Sequence, residues 1–131
     1  MSKGPVIRYA ALMAFDELFA DRVRCFFVEQ GVPFTEKRMM GGLCIMVDEK
    51  MCCGILQDKA TGEDKLMARV GPEVYEKCLE DPSADYMDFT GRPMTGFLFI
   101  QGRGIRSEQQ LNHWLQLCLD FNPQAKATKK K

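Results

Sequence analysis

The sequence predicts an α+β fold with elements in the order α-β(3-4)-α-β(1-2)-α. Three observations carry this expectation. Apolar residues recur at helical spacing near both ends of the chain, in 15–27 and 111–121. Short apolar runs broken by glycine-rich or acidic turns fill 35–70, which is the spacing of strands joined by hairpins. A Gly-Pro step at Gly71-Pro72 opens a short helical stretch, and another strand-like run, Phe97 to Ile100, follows it.

Taken in order, residues 1–14 show no clear period and are expected to be an extension. A helix is expected from about Asp16 to Glu29, because Phe15, Leu18, Phe19, Val23, Phe26 and Phe27 form one apolar stripe. Asp16 suits the N-cap, and Gly31 before Val32-Pro33 is a stop signal. Strands are expected at Thr35–Met39, Leu43–Val47, Met51–Leu56 and Leu66–Val70. Gly41-Gly42, Asp48-Glu49-Lys50 and the polar stretch Asp58–Asp64 turn the chain between them. The short helix after Gly71 runs to about Leu79, and Asp81-Pro82-Ser83 ends it. The last helix is marked by a capping box, Ser107 with Gln110 three residues on, and carries Leu111, Trp114, Leu115 and Cys118 on one face until Asn122-Pro123. The expected organisation is an extension at 1–14, a single domain at 15–122 and a disordered, lysine-rich tail at 123–131.

The bulk numbers bound the function. A chain of 131 residues can bury a real core without staples. Its 18 basic and 18 acidic side chains cancel, so no global field draws in nucleic acid or anionic lipid. No apolar stretch reaches the length needed to span a bilayer, and no signal-peptide core opens the chain, so a cytoplasmic location is expected. The six cysteines include no Cys-x-x-Cys pair and the one histidine is His113, so neither a zinc site nor a thiol–histidine nucleophile is expected. Most of the thiols fall in apolar runs and read as small hydrophobes. Cys52 and Cys53 are adjacent in a strand and are expected to point to opposite faces. No cofactor is expected.

Three segments in order carry a family resemblance. Glu36-Lys37-Arg38-Met39-Met40-Gly41-Gly42-Leu43 resembles a Glu-Lys-x-Met-Phe-Gly-Gly-Leu stretch. Leu66–Tyr75 resembles an Arg-Val-Gly-Pro-Glu-x-Tyr segment, and Met87–Met94 resembles Met-Asp-Phe-Thr-Gly-Arg-Pro-Met. Together they resemble the N-terminal domain of the TfoX/Sxy competence-regulator family over about residues 15 to 121. Met40 stands where phenylalanine is common and Phe97 where tryptophan is, and both swaps keep an apolar side chain. The resemblance implies two layers, with helices on one face of a curved, mostly antiparallel sheet of five or six strands. It also implies a regulatory rather than an enzymatic role.

Candidate binding residues come from these motifs: Glu36, Lys37, Met39, Gly41, Gly42, Arg69, Asp88, Thr90, Gly91 and Arg92. Asp88, Thr90, Gly91 and Arg92 read either as a recognition loop, with Arg92 poised for a carboxylate or phosphate, or as a structural turn in which Arg92 pairs with Asp88 or Glu36. Arg69 lies just before Gly71-Pro72 and reads either as positive charge at a helix start or as a paired strand-end arginine. Gly41-Gly42 reads as a hairpin turn rather than a phosphate loop, since a strand and not a helix follows.

Leu43–Val47 and Phe97–Ile100 are apolar at every position, so both sheet faces are expected to be covered. One layer of helices covers one face. The other implies a protein partner, a homodimer above all, or coverage by the chain's own extension. A weaker alternative is nucleic-acid association through the lysine tail with Arg22, Arg24, Lys37 and Arg38. Small-anion binding at Asp88, Arg92 and Arg69 is a third reading.

Overall fold

The computed structural model describes residues 15–39, 41–87 and 94–125. The first helix, α1 (Glu17–Glu29), starts where expected. The Asp16 carboxylate accepts from the Leu18 N–H at 3.3 Å. It ends in a Schellman arrangement: the Gly31 N–H bonds the Val28 carbonyl and the Val32 N–H bonds the Phe27 carbonyl, with Gly31 at φ 70°. The chain then runs through β1 (Thr35–Met39), β2 (Gly42–Val47), β3 (Lys50–Gln57) and β4 (Asp64–Arg69). The short helix α2 (Pro72–Cys78) follows, then β5 (Ala84–Tyr86), β6 (Phe97–Ile100), a 3₁₀ turn at Gly102–Gly104 and α3 (Glu108–Phe121). Both halves of the Ser107–Gln110 capping box form, each at 3.0 Å.

The sheet has six strands in the order β1-β2-β3-β4-β6-β5, and every neighbouring pair is antiparallel. The expected order allows a second strand after the short helix, and β5 is that strand, at a position the sequence does not mark. At three residues, with only Ala84 buried, it carries no period of its own. Its pairing with Leu98 and Ile100 makes it a strand.

Side chains alternate across the sheet and sort into two faces. On one face, Leu43, Ile45, Ile55, Leu66, Ala68, Leu98 and Ile100 meet Phe19, Val23 and Phe27 of α1, Tyr75 of α2 and Trp114, Leu115 and Cys118 of α3 in one buried cluster. This is the helix-covered face. The end of α3 is fastened to the β2–β3 turn, where the Asn122 side-chain amide donates to the Val47 carbonyl at 3.1 Å. Lys50 Nζ donates to the Asn122 carbonyl at 3.3 Å. Asp48 and Glu49 in that turn both have positive φ, 55° and 64°, as a two-residue type I′ hairpin requires.

The second face carries Cys44, Met46 and Met67, all buried within one chain. Both-face coverage is therefore met for the centre of the sheet. Burial of these three side chains is no argument for association, because a single chain already achieves it.

The register corrects one expectation. Ile45 pairs with Cys53 but Met46 pairs with Met51, so Cys52 is an extra residue in a β-bulge. The bulge rotates the strand locally. Cys52 and Cys53 consequently join the same buried cluster instead of facing opposite sides.

Candidate functional site

The first motif occupies β1 and the turn that follows, at one edge of the sheet. Thr35 to Arg38 are all exposed. No described strand pairs with the outer side of β1. Alternation and the cross-strand register place Glu36 and Arg38, opposite Ile45 and Leu43, on the helix-covered face. Lys37 and Met39, opposite Cys44 and Gly42, fall on the second face.

Each of these side chains has a distinct environment. Glu36 accepts two bonds from Arg24 of α1, at 2.5 Å from Nε and 3.0 Å from Nη2. Arg24 also reaches Glu17 at 3.0 Å and Asp21 at 2.7 Å. The bond to Glu36, above the other contacts, holds the guanidinium well above its ordinary pKa. One cation therefore serves three carboxylates. The Arg38 guanidinium lies 5.4 Å from the centre of the Phe15 ring, with no carboxylate partner among the described residues.

The two motif glycines do different work. Gly41 takes φ 76° with open space around its Cβ direction. Gly42 is crowded: a Cβ there would meet the Ile55 carbonyl oxygen and the Leu56 side chain. The first supplies a left-handed turn and the second a close approach of β2 to β3.

Arg69, at the end of β4, is engaged within the fold. Its guanidinium donates to the Met51 carbonyl at 3.2 Å and lies 5.1 Å from the Phe97 ring and 5.9 Å from the Phe121 ring. Burial lowers its pKa. It acts as a packed bridge between β3, β6 and the end of α3, and α2 is too short to offer a developed N-terminal field. Nothing local to Arg69 points to these partners, because Phe121 comes from an element far along the chain. Lys65 repeats the theme, its ammonium 4.3 Å from the centre of the Phe99 ring.

Asp88, Thr90, Gly91 and Arg92 lie outside the described residues, as does Met40. The sheet brings Glu36, Lys37, Met39, Gly41 and Gly42 together at one edge. Arg69 stands three strands away on β4. The described partner of Glu36 is Arg24.

Two clefts are candidate ligand sites. One of about 380 Å³ is lined by Asp16, Arg22, Glu63, Asp64 and Arg106. Its Arg22 is already engaged, donating to the Ile105 carbonyl at 2.9 Å and the Arg106 carbonyl at 3.1 Å. The other, about 400 Å³, lies between Val70, Pro72 and Val74 of the second motif and Leu117 and Phe121 of α3, with Glu73 and Asp120 as its charged residues. Two carboxylates without a cation do not suit an anion. Among the described residues no group of three or more His, Cys, Asp or Glu side chains is arranged to hold a metal ion.

The buried thiols of Cys44, Cys53 and Cys118 are poor nucleophiles. Burial, above all, raises the pKa of Cys44 to about 12. Cys53 is raised by its contact with the Cys52 thiol and then by burial, and Cys118 by burial.

These features define a small two-layer α+β domain whose first motif lies on an exposed strand edge. The TfoX N-terminal domain model matches residues 27–122, and the chain belongs to that family. The match begins inside α1, later than the expected start at residue 15. Comparison with curated proteins and with solved structures gave no match. No helix among the described residues is long and apolar enough to cross a membrane.

Proposed function

We propose that this domain is a non-enzymatic, cytoplasmic regulatory module of the competence-regulator kind, acting through protein contacts at the β1 edge. The observation that carries this reading is the exposure of Thr35–Arg38 on an edge strand whose outer side has no described partner. An open strand edge offers backbone donors and acceptors to another chain, and its side chains set the choice of partner. The buried, high-pKa thiols and the prior engagement of Arg69 support a binding role over a chemical one. Nucleic-acid association loses two of its four arginine and lysine contacts in the folded domain, because Arg22 holds carbonyls and Arg24 holds three carboxylates.

The test is transcript profiling of a host lacking the protein, complemented with wild type or with Lys37→Glu/Arg38→Glu. Regulation restored by wild type and lost with the edge variant supports the reading. An unchanged transcript profile in the deletion strain contradicts it.

A further inference from the structure

The edge carries a pattern that fits one partner in particular, a second copy of itself. Along Thr35-Glu36-Lys37-Arg38-Met39 the acid and the base flank a central lysine. When two copies of an edge strand pair antiparallel about a two-fold axis, the helix layers fall on the same side of the merged sheet. Residues opposite one another must then share a face, so the axis has to pass through a residue. Three positions near the middle of β1 satisfy that condition. An axis at Glu36 sets two carboxylates against each other. An axis at Arg38 sets two guanidinium groups against each other. An axis at Lys37 sets Glu36 of each copy opposite Arg38 of the other, twice, on the helix-covered face. The one like-charged pair, Lys37 with Lys37, then falls on the second face, where long side chains can splay.

The surroundings favour the same register. Glu17, Asp21 and Glu36 share the single charge of Arg24, which leaves the α1 side of the edge under-neutralised. Arg38 has no carboxylate partner among the described residues. Val28 lies one turn beyond Arg24 on the side of α1 that reaches down to β1, and it is 69% exposed. A second copy across the strand edge brings a base to the acidic cluster.

We propose that β1 is the seam of a two-fold dimer, in which β1 of two copies pairs antiparallel about Lys37 and joins the two six-stranded sheets into one. This deepens the interaction-module reading and rests on it, naming the first partner of that edge. Charges on an edge strand normally discourage indiscriminate pairing. Here their order makes one register favourable and its neighbours unfavourable.

The test is a charge swap on the full chain, read by sedimentation equilibrium. Arg38→Glu leaves two acids on the strand, and Glu36→Lys leaves three bases. Each variant alone is expected to dimerise about tenfold more weakly than wild type, through lost and repelling cross-strand pairs. An equimolar mixture recovers dimers, because both pairs become attractive between unlike chains. Wild type that stays monomeric at about 100 μM, a concentration at which even weak specific dimers populate, overturns the proposal. So do single variants that dimerise as wild type does.

Glu36→Lys also removes a partner of Arg24, so a second probe leaves that pair intact. Lys37→Cys in a Cys25→Ser/Cys44→Ala background, which removes the thiol opposite position 37 within the same chain, should form an intermolecular disulfide under mild oxidant, and Thr35→Cys in the same background should not. Equal crosslinking at both positions, or none at Lys37→Cys, overturns the assignment. A failed dimer with transcript regulation intact would remove this partner and leave the regulatory module standing.

Discussion

Arg24 of α1 and Glu36 of β1 face each other through two N–H···O bonds, 2.5 and 3.0 Å long, that tie the first helix to the edge strand. A fork against a carboxylate fixes orientation as well as distance. The motif acid therefore helps seat α1 over the sheet and sets the charge of the edge.

Replacing Arg24 with glutamine removes three ion pairs and leaves Glu17, Asp21 and Glu36 to repel one another. Partly exposed pairs contribute little each, so the expected loss is about 1 kcal/mol. Urea denaturation checks it, and the gap to wild type should narrow in high salt. Glu36→Gln should cost less, since Arg24 keeps its other two partners.

The two glycines of the motif should differ. Gly42→Ala drives a Cβ into the Ile55 carbonyl, a backbone atom that cannot swing away, and should destabilise by roughly 3 kcal/mol. Gly41→Ala meets nothing but must hold a positive φ, which costs about 1 kcal/mol. Thermal unfolding of the two variants ranks them.

Exposure of the thiols predicts their reactivity. Cys25 is exposed, Cys78 half-buried, and Cys44, Cys52, Cys53 and Cys118 are buried. Brief iodoacetamide treatment near pH 8 should add one adduct, at Cys25, by intact mass. Denaturant should raise the count to all six. A buried thiol reacting at the same rate as Cys25 would contradict the packed bulge around Cys52 and Cys53.

Two aspartates give opposite pH dependences. Asp81 is held below its ordinary range, first by the Ser83 hydroxyl at 2.7 Å and then by the Ser83 backbone N–H at 2.9 Å. A depressed carboxyl contributes stability above its unfolded pKa of about 3.9 and loses it as pH falls through the lower folded value. The deficit of Asp81→Asn should therefore be largest near neutrality and shrink by pH 3. Asp64 is raised by burial, so its sign reverses: its ionised form carries a desolvation cost that disappears in acid. Asp64→Asn should match or exceed wild-type stability at pH 7 and lose that advantage in acid. Denaturation curves at the two pH values decide both.

Much of the fold was legible because its punctuation is local. Asp16, Gly31 and the Ser107–Gln110 box mark helix ends within a few residues, and the expected β1 coincides with the observed Thr35–Met39. What escaped depends on register and distance. β5 is too short to show a period and exists through β6. The shared face of Cys52 and Cys53 follows from a bulge that only the pairing with β2 reveals. The partners of Arg69 could not be named in advance, because Phe97, Phe121 and Met51 converge on it from three other elements. The motif around Glu36 was visible as a motif, but not as an edge. Strand order, which no local pattern encodes, made it one.

Amide hydrogen exchange across β1 at increasing protein concentration tests the central claim most directly. Amides of Thr35–Met39 that face away from β2 should exchange quickly in dilute solution and gain protection as concentration rises, while β3 and β4 stay unchanged. Exchange in β1 that is independent of concentration would contradict the assignment of this edge as the seam between two copies.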